Sequence, residues 1–151
     1  MSSSFKETTL DNGLRIVAET SSSAASAAIG FFVKTGARDE LAPLMGVSHF
    51  LEHMMFKGTD TRSAEQVDMA FDDLGAQHNA FTSSEMTAFW GASLPESIVE
   101  VHDILADILR PALRQVDFDA EKGVILEETI EAGKYRQRRQ RLTEIWVSRG
   151  E

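Results

Sequence analysis

The chain has 151 residues, long enough to bury a core and too short for two full domains with a linker. Hydrophobic residues make up 42% and charged residues 26%, ordinary globular proportions, and no apolar run approaches the length of a membrane span. The absence of cysteine excludes disulfide scaffolds, thiol nucleophiles and thiolate metal sites, and a net charge of −9 argues against a nucleic-acid binder.

Met1–Phe5 lacks the basic-then-apolar pattern of a secretory signal, which makes the cytoplasm the expected compartment. Glu7–Glu19 reads as a hairpin, with Asp11-Asn12-Gly13 as the turn and Leu14–Ala18 as the return strand. Ser21–Ser26 is a small polar loop. Ala27–Thr35, nearly continuous in Ile29, Phe31, Phe32 and Val33, reads as a strand buried on both faces and broken by Gly36. Gly46–Phe56 reads as a helix, preceded by Pro43 and closed by the cation of Lys57 and by Gly58. Ser63 opens a second helix, and Gln66 three residues on completes a capping box. Val67, Ala70, Phe71 and Leu74 recur there at helical spacing until Gly75.

His78–Thr82 and Met86–Ser93 read as strands joined through Ser83-Ser84-Glu85. Pro95 and Glu96 open a third helix with the stripe Ile98, Val101, Leu105 and Ile108, ended by Pro111. A fourth helix is expected from about Asp119 to Ala132, with Val124 and Ile125 on its apolar stripe. Two groups of strands alternating with helices predict an α+β fold, one largely antiparallel sheet packed with helices. Met45, Met54, Met55 and Met69 are read as core fillers, and Phe81, Phe89 and Trp90 as packing in the sheet. Arg38 and Glu40 are read as a structural ion pair, and His78 as a hydrogen-bonded sheet histidine. Residues 1–133 hold nine Lys/Arg against 22 Asp/Glu, and residues 134–151 hold the other six against two. The expected division is therefore a domain over 1–133 and a basic tail over 134–151, whose run from Lys134 to Arg141 reads as a solvated face.

The chemistry concentrates in His49-Phe50-Leu51-Glu52-His53. Residues four apart share a helical face, so both imidazoles reach one cation, and Glu52 lies beside that face without being a ligand. The pattern is His-x-x-Glu-His, an inverted zinc-protease motif. A catalytic zinc takes three protein ligands and keeps a fourth position open. The third donor is sought on the fourth helix, among Glu121, Glu127, Glu128 and Glu131. Glu121 and Glu128, seven apart, share a face with Val124 and Ile125 between them. A carboxylate on such a stripe needs a partner, which a metal would supply. Glu127 points elsewhere.

With these residues in place, the chain resembles the N-terminal part of the pitrilysin, insulysin and mitochondrial processing peptidase family of zinc metallopeptidases. The resemblance covers Thr8 to Glu131. It rests on Leu10–Leu14, Gly36–Glu40, Gly46–Thr59, Gly75–Thr82 and Glu121–Glu128, five blocks in the family's order and spacing. It implies zinc as cofactor, His49, His53 and Glu128 as metal ligands, and Glu52 as catalytic base. It further implies that Glu121 supports activity without binding metal, and that Asn79 and Ala80 hold an extended peptide by strand addition. The implied reaction is hydrolysis of a peptide or unfolded-protein substrate, and the acidic body hints at basic peptides such as presequences. Family members continue into further helices and strands and a second domain, so the resemblance leads one to expect a truncated form, or else a catalytic subunit in miniature. Self-association, or a partner subunit supplying the missing half, is then expected, since an incomplete sheet exposes edges and apolar surface. The alternative is a relic or interaction module that binds zinc or extended peptides without turnover.

Overall fold

The first hairpin turns on Gly13, whose φ of +85° is open to glycine without steric cost. The Asn12 carboxamide oxygen steadies the turn by accepting the Leu14 N–H at 3.0 Å. A computed structural model describes residues 3–128 and 130. Strands β1 (Ser3–Thr9) and β2 (Arg15–Ser21) pair antiparallel from Ser3 opposite Ser21 to Thr9 opposite Arg15. The ladder is longer than the sequence pattern suggested and takes in Ser21 from the expected loop. It stands as a separate two-stranded sheet, exposed along both strands.

A second sheet holds β3 (Ala27–Val33), β4 (Gln77–Thr82) and β5 (Thr87–Ser93) in the order β3-β5-β4, antiparallel throughout. The hairpin from β4 to β5 closes through Ser83, whose N–H donates to the Met86 carbonyl at 2.8 Å. The central strand β5 is the buried one. β3, expected to be covered on both faces, is an edge strand instead. Ile29 and Phe31 alternate onto the core side, and Phe32 falls on the opposite face, 68% exposed.

Helix α1 (Val47–Met55) starts after Gly46, at φ +95°, and ends at Phe56. Helix α2 (Ala64–Asp73) carries the expected reciprocal cap: Ser63 Oγ accepts the Gln66 N–H, and Gln66 Oε1 accepts the Ser63 N–H. Helix α3 (Ile98–Ile108) follows a single 3₁₀ turn over Pro95–Ser97. The core is built where α2 and α3 meet β5, from Val67, Phe71, Phe89, Val101, Ile104, Leu105 and Ile108. Burying each large side chain there contributes about 1.5–3 kcal/mol. Gly91 of β5 permits the close approach of α3, because a Cβ at that position would lie 2.6 Å from Val101 Cγ1. Of the four methionines expected in the core, Met54 is buried and Met55 half-buried. Met45 and Met69 are exposed, Met45 before the helix begins and Met69 on the face of α2 away from Val67 and Phe71.

Residues 115–128 form helix α4, which starts before the expected Asp119. Glu121 is buried on this helix and Ile125 half-buried, whereas Val124, expected on the apolar stripe, is exposed, as is Phe118. The architecture is α+β, with antiparallel sheets and helices packed against them. Among the described residues no helix is long and apolar enough to cross a membrane. The basic segment 134–151 lies outside the described residues.

Candidate metal centre

The first turn of α1 is held by Glu40. Its Oε2 accepts the Gly46 N–H at 2.6 Å and its Oε1 accepts the Ser48 N–H at 2.8 Å. These bonds hold the Glu40 carboxyl below the usual carboxylate range. The expected ion pair between Arg38 and Glu40 is not formed. Glu40 is taken by N–H groups that the helix cannot satisfy itself, and Arg38 pairs with Glu85. Beyond α1, Asp107 accepts from Thr59, Thr61 and Arg62 and fixes the loop leading to α2. Phe50 of α1 and Phe118 of α4 bring the two helices together, with ring centroids 4.8 Å apart.

At that junction His49 and His53 turn their Nε2 atoms to within 3.1 Å of each other. Glu128 Oε2 lies 3.7 Å from His49 Nε2 and 3.6 Å from His53 Nε2. A tetrahedral zinc with bonds of 2.0–2.1 Å separates its ligands by about 3.3 Å, so the three donors outline a face of such a tetrahedron. Two imidazoles and one carboxylate also suit zinc chemically and would leave one coordination position open. Glu127 is exposed and away from this group. Glu131 lies outside the described residues.

Glu121, the other carboxylate on the shared face of α4, is only 3% exposed. The need for a partner is met by side chains. Its Oε1 is 2.7 Å from His53 Nδ1, and its Oε2 accepts from Lys57 Nζ at 2.6 Å. Burial pushes its carboxyl up, but the hydrogen bonds from Lys57 and His53 and their charges outweigh this and hold it below the ordinary range. With His53 Nδ1 donating to Glu121, the lone pair of Nε2 is aimed at the three-donor group. Glu52 stands outside that group, and its Oε2 accepts the Thr82 hydroxyl at 2.5 Å.

A cleft of about 210 Å³ runs past these side chains, lined by Glu52, His53, Lys57 and Glu121 and by Asn79 and Ala80 of β4. β4 is an edge strand of its sheet, and the Asn79 carboxamide oxygen accepts the Ala80 N–H at 2.8 Å. His78, expected to be held by a hydrogen bond, instead stacks on Phe71 at 3.9 Å with the rings 13° from parallel. Burial lowers its pKa, and Asp68 and Asp72 oppose this in part. Three contributors went unrecognised in the sequence. In the sequence Lys57 reads as a helix-closing cation, although it lies four residues after His53. Glu40 reads as the partner of Arg38, and Thr82 carries no signal of its own.

Over residues 15–148 the chain matches the family model described as insulinase, peptidase family M16, and the match runs past Glu131 into the basic segment. It is 43% identical over 124 residues to an uncharacterized zinc protease of Streptomyces coelicolor, covering 82% of this chain and 27% of that protein. To an uncharacterized zinc protease of Bacillus subtilis it is 43% identical over 125 residues, covering 82% and 31%. To the mitochondrial-processing peptidase subunit beta of Saccharomyces cerevisiae it is 40% identical over 126 residues, covering 83% and 27%. The chain thus spans less than a third of the length of these relatives. A solved structure of a protease from Helicobacter pylori superposes with a TM-score of 0.78 at 26% identity, covering 83% of this chain and 30% of that one. With the model matched over residues 15–148, the chain belongs to the insulinase family, peptidase family M16.

Proposed function

We propose that the chain carries the metal centre of a zinc-dependent endopeptidase, with His49, His53 and Glu128 as ligands. The observation that carries this reading is the spacing of their three donor atoms, 3.1, 3.6 and 3.7 Å. Relatives named zinc proteases support the choice of metal. The cation, when bound, supplies Lewis acidity for water activation and carbonyl polarisation. Glu52, on the cleft beside this group, takes the proton of the attacking water and later passes it to the leaving amine. Thr82 holds the Glu52 carboxylate until substrate arrives. Glu121 acts through His53, fixing its ring and tautomer. Asn79 and Ala80, on the edge strand along the cleft, bind an extended peptide by strand addition, with the Asn79 side chain giving up the Ala80 N–H.

The remainder of the substrate chamber is supplied from outside the described residues, by self-association or by a partner subunit. One relative is itself named as a subunit. The separate two-stranded β1–β2 sheet and the exposed Phe5, Ile16 and Val17 favour association. The division into a catalytic domain over 1–133 and a basic tail over 134–151, acting on basic peptides, is a functional one, because every proposed site residue lies before 133, while the family match itself continues to residue 148. A second reading, zinc or peptide binding without turnover, is favoured by the chain spanning less than a third of its relatives' length. Metal analysis after purification without chelators, followed by cleavage of a quenched peptide, separates the two. The endopeptidase reading expects one zinc per chain and cleavage that Glu52→Gln abolishes. Zinc with no cleavage selects the second reading, and no zinc uptake on titration removes both metal readings.

A further inference from the structure

Lys57 lies in the block Gly46–Thr59 with no role there beyond closing α1, yet among the described residues it is the lysine or arginine in contact with the buried carboxylate behind His53. It follows His53 by four residues, which puts both side chains on one side of the helix end. Each oxygen of Glu121 is then engaged by a different group: Oε1 by His53 Nδ1 at 2.7 Å and Oε2 by Lys57 Nζ at 2.6 Å. A carboxylate held by one donor can still rotate about its last bond. Held at both oxygens, it has a fixed plane. The base of Lys57 is fixed too, since its carbonyl accepts from Arg114, whose other nitrogen donates to the Thr59 carbonyl at 2.6 Å. Thr59 is in turn anchored on Asp107 at 3.0 Å. At 3% exposure, Glu121 has almost no water available to replace the ammonium.

We propose that Lys57 is a positioning residue for the metal centre: by clamping Glu121 Oε2 it aims Oε1 at His53 Nδ1, and so presents His53 Nε2 to the cation. The inference rests on the assignment of His49, His53 and Glu128 as zinc ligands. It acts through Glu121 on the Nδ1 edge of the His53 imidazole, not on the substrate. The effect therefore appears in metal affinity measured with no peptide present.

The test compares zinc affinity of the full chain, by competition with a chromogenic chelator, for the wild type, Lys57→Met and Lys57→Arg. Loss of an outer partner of a ligand costs about 10- to 100-fold in metal affinity. That loss is expected for Lys57→Met, with Lys57→Arg restoring affinity to within about threefold of wild type because it keeps a donor at Oε2. Cobalt substitution gives a second readout, since the visible bands of the bound ion should change in Lys57→Met and not in Lys57→Arg. If Lys57→Met also lowers the urea midpoint of the metal-free chain, a cycle with Glu121→Gln decides. The double variant should bind zinc no more weakly than Glu121→Gln alone, and additive losses would overturn the clamp. Wild-type affinity in Lys57→Met, in a protein that takes up zinc, overturns the role of Lys57 and leaves the ligand assignment standing. A wild-type chain that takes up no zinc overturns the ligand assignment itself.

Discussion

How firmly His49 is held depends on the start of α1, and there Glu40 is the residue to perturb. Its carboxylate takes two N–H groups, Gly46 at 2.6 Å and Ser48 at 2.8 Å, that have no partner within the helix. Removing a capping side chain costs about 0.5–2 kcal/mol, and hydrogen bonds to charged groups contribute about 1.5–3 kcal/mol when well buried. Glu40 is only half-buried, so Glu40→Ala is expected to cost about 1–2 kcal/mol in urea denaturation at pH 7, and Glu40→Gln about half of that. Arg38→Ala removes an ion pair whose two side chains are 61% and 63% exposed, and is expected to cost no more than about 0.5 kcal/mol. The Glu40 carboxyl is held below its ordinary range by the Gly46 and Ser48 N–H groups. A folded value below the unfolded one means that its stabilisation is complete above the unfolded value, about 4.3, and disappears as pH falls through the folded value. The deficit of Glu40→Ala should accordingly be full at neutral pH and shrink towards pH 3. Equal costs for Glu40→Ala and Arg38→Ala at pH 7, or coupling between them above about 0.5 kcal/mol in a double-mutant cycle, would refute the capping role and restore a direct pair.

His78, whose pKa burial depresses, should lower stability as pH falls from about 6.5 through its folded value; urea midpoints of wild type between pH 8 and 5 should fall more steeply than those of His78→Gln, and identical slopes would refute this. Zinc at a hundredfold excess over its dissociation constant should stabilise the wild type by about 2.7 kcal/mol in urea denaturation, and His49→Ala should abolish the shift. Gly91→Ala sets a Cβ 2.6 Å from Val101 Cγ1 and should cost about 1–3 kcal/mol, and a neutral result would mean that α3 is free to move off β5.

What could be read from sequence was what neighbouring residues decide among themselves. The Asn12-Gly13 turn, the reciprocal cap of Ser63 and Gln66, and the four-residue spacing of His49 and His53 are all local. Helix and strand positions followed from them to within a few residues. The misreadings have non-local causes. An apolar run such as Ile29–Val33 looks the same in a central and an edge strand, because strand order is set by pairings between distant segments. Arg38 and Glu40 looked like a pair because they are close in sequence, but each found a partner further away. Glu121 and Glu128 could not be told apart by spacing, since both lie on one face of α4. Their difference arises only when α4 crosses α1, which leaves one carboxylate buried beside Lys57 and the other half-exposed beside two Nε2 atoms.

That crossing explains why the two motifs work as a pair. Nδ1 and Nε2 lie on different edges of the same imidazole, and His53 is approached on both. Glu121 lies 2.7 Å from Nδ1, and Glu128 lies 3.6 Å from Nε2. Seven residues of helix advance about 10.5 Å and return nearly to the same side, which lets one face of α4 span the ring and reach the group beyond it. A slip of one residue along α4 would rotate that face by about 100° and withdraw both carboxylates together. The apolar contribution to holding α4 in register includes the Phe50–Phe118 contact, while Val124 and Leu126 are exposed. Charge contributes to the register as well, through Lys57 on Glu121 at 2.6 Å, and a cation shared with His49 and His53 would add Glu128 to it. The site therefore depends on α4 being docked, and the docking of α4 depends in turn on the residues of the site.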